Sequence, residues 1–279
     1  MTRGQLPKAL RLAAAVVIFA IVAAGCGDDD DESTTGGTTG ATTAPAGVQT
    51  IRSGTLTVCS DLPYPPFEFE EGGRQVGIDL ELMAAVAQDL GLQTAVQDTD
   101  FDGIFAALAA GQCDVIASSV SITDERRQSN EFTQGYYEIQ QSLLVRKADA
   151  ERYRTIDSLR GRTIGAQSET TGEEYAQSQA SRVGFTVRSF TGADEAVTAL
   201  KAGQVDGVLQ DFPVNAYNAQ KDADLAVATR YQTEPEQYGF VVKKGNTALR
   251  DAIDGSLTRL KNSGRHREIL QRYLGEGAG

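Results

Sequence analysis

The chain has 279 residues, 41% of them hydrophobic, enough to bury one large core or two medium ones; this excludes a wholly disordered protein. Its 26 basic and 38 acidic residues give a net charge of −12, a poor balance for binding nucleic acid or anionic lipid. With a single histidine, His266, in the polar run SGRHREI, neither a Ser-His-Asp triad nor a histidine-rich metal site is expected, and that ring is read as a solvated helix residue. No GxxxxGKS/T or GxGxxG motif occurs, so no phosphate-cradling loop, cofactor or metal is expected.

Residues 1–25 contain Arg3, Lys8 and Arg11 with no acidic residue, then LAAAVVIFAIVAA. Thirteen apolar residues are too few to span a bilayer, and the order basic, apolar, small reads as a secretory signal. Ala23-Ala24-Gly25-Cys26 resembles the lipobox of bacterial lipoproteins, whose cysteine is lipidated and becomes the mature N-terminus; an ordinary cleavage site is the alternative. The following GDDDDESTTGGTTGATTAPAG has no apolar period, so residues 26–49 are read as a disordered tether holding a globular body clear of a membrane. These features imply an extracytoplasmic body anchored to the cell membrane through lipid on Cys26. Without the leader, 23 basic against 38 acidic residues leave −15.

The body alternates strand and helix. TLTVCSD (55–61) is predicted as a buried strand, GIDLELMAAVAQDLG (77–91) as an amphipathic helix, and LQTAVQ (92–97) as a strand. FDGIFAALAAG then predicts a helix and CDVIASS a strand, an order that implies an α/β fold with mostly parallel sheets flanked by helices. Cys59 and Cys113 both fall in apolar, strand-like runs. They are expected to be unpaired buried thiols, kept apart because one is near the end of its strand and the other at the start of a parallel neighbour.

The pattern recurs. ALAAGQCDVIASS (107–119) and ALKAGQVDGVLQD (199–211) share Ala-Leu-x-Ala-Gly-Gln-x-Asp at a spacing of 92 residues, and LTVCSD (56–61) has its counterpart in IGAQSE (164–169), 108 residues on. A duplicated lobe accounts for both. YGFVVKKG and the helical runs after it (LRDAIDGSLTRLKNSG, REILQRYL) fit a return to the first lobe, with crossings near 137–141 and 233–237. The predicted division is therefore 50–137 plus 236–279 for lobe 1 and 138–235 for lobe 2, joined by a two-strand hinge.

In open parallel sheets ligands sit beyond the carboxyl ends of the strands. Those ends are Asp61 and Ser118 to Ser121 in one lobe, and Gln167 to Thr171 with Gln210-Asp211 in the other. Arg126 offers a planar fork for a carboxylate, completed by backbone N–H groups near Ser121 and Thr171; a solvated helix-face charge is the equal alternative. Asp211 would supply the charge an ammonium needs. Tyr64, on the proline-rich loop DLPYPPFEFE, and Phe101 are placed to sandwich a side chain, although either fits a plain core as well.

DLPYPPFEF, GIDLELMAAVAQDLG, FDGIFAALAAGQCDVIASSVSITDERR, FTQGYY, LRGRTIGAQSETT and AGQVDGVLQD are similar, in order and spacing, to the polar amino-acid binding proteins of ABC importers. The resemblance covers residues 50–276 and implies a hinged, two-lobed receptor, not an enzyme. Such a receptor closes on one free L-amino acid and delivers it to the membrane permease; a monomer is expected. It assigns Arg126 to the ligand carboxylate with the N–H of Thr171, Ser121 to both main-chain groups, and Asp211 to the ammonium with the carbonyl of Ser119. It gives Tyr64 and Phe101 the aromatic sandwich, and Asp61, Ser118, Gln167 and Gln210 the reading of the side chain. Where the family reads Gly-Thr, this chain has Glu169-Thr170, and a carboxylate there, with Asp61, would favour lysine, arginine, histidine or ornithine, with glutamine second. Two alternatives stand: a periplasmic cyclohexadienyl or arogenate dehydratase using Glu173 or Glu169 as its acid, and a ligand-sensing interaction module.

Overall fold

The computed structural model describes residues 47–276, so the leader, Cys26 and nearly all of the tether lie outside the described residues. Among the described residues no helix is long and apolar enough to cross a membrane.

Two five-stranded sheets share one strand order. In the first, Thr55–Ser60 lies between Gln93–Asp98 and Val115–Ile116, parallel to both, followed by antiparallel Val241–Lys243 and by Asn130–Phe132 at the edge. In the second, Thr163–Gln167 lies between Thr186–Phe190 and Gly207–Asp211, parallel to both, followed by antiparallel Gln141–Arg146 and by Leu225–Arg230 at the edge. The one reversed strand in each sheet is the one that follows a crossing between the two halves. The crossings themselves, Tyr137–Ile139 and Glu236–Tyr238, pair antiparallel, which gives the two-strand connection the sequence predicts.

Both faces of each sheet are covered, as the continuous apolar strands require. Leu56 and Val58 pack against the helices Ile78–Asp89 and Thr247–Ser263, whereas Cys59 and Ile116 on the opposite face meet Phe101, Ile104 and Leu108 of the helix Phe101–Ala109. The second sheet has the same two-sided core, with Leu143, Ile164 and Leu209 on one face and Leu144, Val208 and Leu200 on the other.

The repeated Gly-Gln-x-Asp has one structural job, done twice. Gly111 and Gly203 each follow a helix with φ of 73°, a left-handed conformation that reverses the chain. Two residues past each glutamine, Asp114 accepts the N–H of Thr57 at 2.8 Å and Asp206 that of Thr163 at 2.9 Å. Each aspartate thus fixes the early part of the strand that lies between two parallel neighbours in its sheet.

Three expectations need correction. Cys59 and Cys113 form a disulfide, with Cα atoms 5.7 Å apart. The strand begins only at Val115, so Cys113 belongs to the connection after the helix Phe101–Ala109 and lies over the face toward which Cys59 points. His266 is half-buried, with Nε2 2.9 Å from the carbonyl of Tyr136, and burial holds its pKa below the usual value. The run read as a loop after Tyr64 contains a hairpin, Phe69–Glu71 with Arg74–Val76, which folds the chain back over the strand ends.

Candidate functional site

The carboxyl ends of both sets of parallel strands face one pocket. From the first half come Asp61, which follows the strand Thr55–Ser60, Tyr64 on the loop beyond it, and Ser118, Ser119 and Ser121 after Val115–Ile116. Phe101, the first residue of its helix, and Arg126 complete that wall. Arg126 lies in the short helix Asp124–Ser129, whose N-cap Thr123 accepts the Arg126 N–H. From the second half come Gln167 at the end of Thr163–Gln167, Thr171 at the start of the helix Thr171–Val183, and Asp211 at the end of Gly207–Asp211. As a first-turn residue, Thr171 has an N–H with no intrahelical acceptor.

The halves touch across the pocket through these side chains. Tyr64 donates its hydroxyl to Asp211 Oδ2 at 2.8 Å, and Gln167 Nε2 donates to Asp61 Oδ2 at 2.6 Å. Arg126 Nη2 donates to the carbonyl of Glu169 at 2.8 Å and Nη1 to that of Ser121 at 3.0 Å. Its guanidinium carbon lies 5.5 Å from the ring centres of both Phe101 and Phe105, so the cation rests on aromatic faces. Burial lowers the Arg126 pKa, against the pull of Glu174, Glu236 and Asp211, in the order of their effect.

Asp211 is held on every side. Besides Tyr64 it accepts from Tyr238 at 2.5 Å and from Gln141 Nε2 at 2.7 Å. Burial, with the charge of Glu236 adding to it, raises its pKa to about 6, against these hydrogen bonds. Asp61 is also raised to about 6, chiefly by burial, with the bond from Gln167 pulling the other way.

Two expected site residues lie off the pocket wall. Gln210 precedes Asp211 in one strand, where neighbours point to opposite faces; its amide turns to Asn215 Oδ1 at 2.8 Å. Glu169 adopts φ of 61°, leaving its side chain exposed and only its carbonyl turned to Arg126. Glu173 is likewise committed elsewhere, accepting the N–H of Glu169 at 3.0 Å and the hydroxyl of Ser189.

Two wall residues were not assigned from the sequence, Thr170, the N-cap of its helix, and Glu68. Glu68 has no solvent exposure, lines the pocket, and accepts the hydroxyls of Ser118 at 3.2 Å and Ser119 at 3.3 Å. It is carried there by the bridge between Tyr64 and Glu68 and by Gly77, where a Cβ would sit 2.1 Å from the carbonyl oxygen of Phe67. The residue was visible as the acid in PFEF, but its place depends on the chain folding back over the strand ends.

The chain is 34% identical over 220 residues to a probable histidine-binding protein of Campylobacter jejuni, covering 78% of this chain and 84% of the relative. Its fold matches a Streptococcus pneumoniae amino acid ABC transporter substrate-binding protein bound to L-arginine, with a TM-score of 0.75, 28% identity, and coverage of 81% of this chain and 97% of that one. It also matches an ancestral amino acid-binding protein, a precursor of cyclohexadienyl dehydratase, with a TM-score of 0.73, 29% identity and coverage of 79% and 95%. With residues 56–276 matched by the family model as well, the chain belongs to the bacterial extracellular solute-binding proteins, family 3.

Proposed function

We propose that this protein is the substrate-binding receptor of an ABC importer and captures a cationic L-amino acid, arginine, lysine, ornithine or histidine, between its two lobes. The observation that carries the reading is the charge inventory of the pocket: three carboxyl groups, Asp61, Glu68 and Asp211, line it with one guanidinium, Arg126. An α-amino acid uses one charge of each sign. Arg126 with the Thr171 N–H takes the carboxylate, and Asp211 with Ser121 and the Ser119 carbonyl takes the ammonium. The carboxyl groups left over, Asp61 and Glu68, favour a positive side chain. Glu68 thereby fills the role first given to Glu169.

Ser118 and Gln167 border this side-chain end through their bonds to Glu68 and Asp61, while Phe101 supplies an apolar wall. Tyr64 contributes its ring, and its hydroxyl latches the lobes through Asp211. Tyr64→Phe keeps the ring and deletes the latch, so affinity is expected to fall about tenfold, the scale of a hydrogen bond to a charged group. Unchanged affinity by calorimetry would reduce Tyr64 to the aromatic wall alone. Lipid on Cys26 and the acidic tether fit the same reading, placing the receptor beside its permease at the outer face of the cell membrane.

A thermal-shift screen against the twenty amino acids, ornithine, citrulline and prephenate, after unfolding and refolding to strip carried ligand, tests the proposal. At ligand concentrations 100 times Kd, binding adds about 2.7 kcal/mol to native stability. Shifts with cationic amino acids are expected. A response to glutamine alone would keep the receptor and replace the ligand class, and turnover of prephenate or arogenate would move the protein to the dehydratases.

A further inference from the structure

Glu68 and Asp79 are two carboxyl groups with zero solvent exposure that meet at one residue, Ser119. Asp79 Oδ2 accepts the Ser119 N–H at 2.7 Å, and both its oxygens lie 2.6 Å from the hydroxyl of Tyr136. These bonds help hold Ser119 at φ of 49°, in the left-handed region a serine rarely adopts. Glu68 is less well served. It has only the two longer serine hydroxyls, and its open side faces the pocket. Among the described residues, no lysine or arginine forms an ion pair with either group.

Two buried carboxylates this close do not both ionise, and the proton goes to the one whose charged form has poorer donors. That one is Glu68. The other titratable groups facing it, Asp61, Tyr64 and Tyr136, offer no positive charge to offset its burial, and Arg126, on the same pocket, is directed to backbone carbonyls.

Resting on the cationic-ligand reading above, we propose that Glu68 and Asp79 hold one proton between them in the ligand-free protein, carried by Glu68, and that a cationic side chain entering the pocket expels it. The carboxylic acid of Glu68 becomes a carboxylate paired with the ligand, and the proton passes to solvent. One positive charge replaces another, so the buried site keeps its net charge. A neutral side chain instead meets a protonated Glu68, which donates a hydrogen bond, and releases nothing. Asp79 is the positioning residue, acting on the ligand only through Glu68 and Ser119.

The test begins with the free protein. Carbon NMR of the glutamate carboxyl groups, with the Glu68 signal identified by its loss in Glu68→Gln, is expected to show that group protonated at pH 7 and titrating at lower pH in Asp79→Asn, though burial and Asp61 still hold it above the ordinary carboxylate range. An ionised Glu68 at pH 7 in the unsubstituted protein overturns the proposal, whatever the protein binds. Calorimetry of arginine binding in phosphate and in Tris then counts protons, between pH 7 and 8 and so above the range where Asp61 and Asp211 titrate. About one proton released with arginine and none with glutamine is expected, with affinity for arginine rising about tenfold per pH unit. Glu68→Gln removes both effects. Arginine binding that releases no proton overturns the expulsion; a protonated Glu68 in a protein that binds no amino acid upholds the shared proton and sinks the functional reading alone.

Discussion

Replacing Arg126 with alanine is expected to weaken amino-acid binding by roughly 2–5 kcal/mol, between about thirtyfold and several thousandfold, because a buried ligand carboxylate is left without its partner. The structure adds a second reason. The guanidinium bridges the lobes, from the Ser121 carbonyl in one to the Glu169 carbonyl in the other, while resting on Phe101 and Phe105. Its loss therefore removes a latch as well as a charge. Arg126→Lys keeps the charge but lacks the planar fork, so it should recover only part of the loss. Calorimetry with the preferred ligand decides the matter, and an alanine variant that binds within threefold of the parent would take Arg126 off the carboxylate.

Removing the disulfide by replacing Cys59 and Cys113 with alanine is expected to cost about 4 kcal/mol of folding stability, the loop-closure entropy of a 54-residue separation. The bond ties the strand that leads to Asp61 to the connection that leads to Ser118 and Ser121, so ligand affinity should fall as well. Both cysteines are buried, so reductant should act slowly on the folded protein and quickly once it is unfolded in urea. Urea titration of the double variant measures the loss. A change under about 1 kcal/mol would mean that the bond contributes no net constraint.

The repeated Gly-Gln-x-Asp was legible because it performs a local job, a helix stop followed by a carboxylate that caps a neighbouring strand, and local jobs leave local spacing. The strand order located Asp61, Ser118, Gln167 and Asp211 at strand ends, and Arg126 lies in the short helix beyond one of them; all are on the pocket wall. Gln210 could have been excluded in advance, since it and Asp211 are consecutive in a strand and cannot both face the cleft. Glu169 was harder. Its outward direction follows from a left-handed backbone that only the assembled loop imposes. Glu68 and the Cys59–Cys113 bond lay furthest from the sequence, because each depends on where a connection passes over a sheet. Apolar periodicity describes the strand and says little about the path of the chain between strands.

The contacts from Tyr64 to Asp211, from Gln167 to Asp61 and from Arg126 to Glu169 roof over the space between the lobes. These contacts cross the mouth of the pocket, between a molecule held there and a protein docking from outside. On the receptor reading proposed above, the transport machinery would meet the outline of the two halves joined by these contacts more than the cargo itself. On that reading, chemical discrimination would rest with the residues inside the pocket, and a new cargo would ask for new residues there and not on the outer surface.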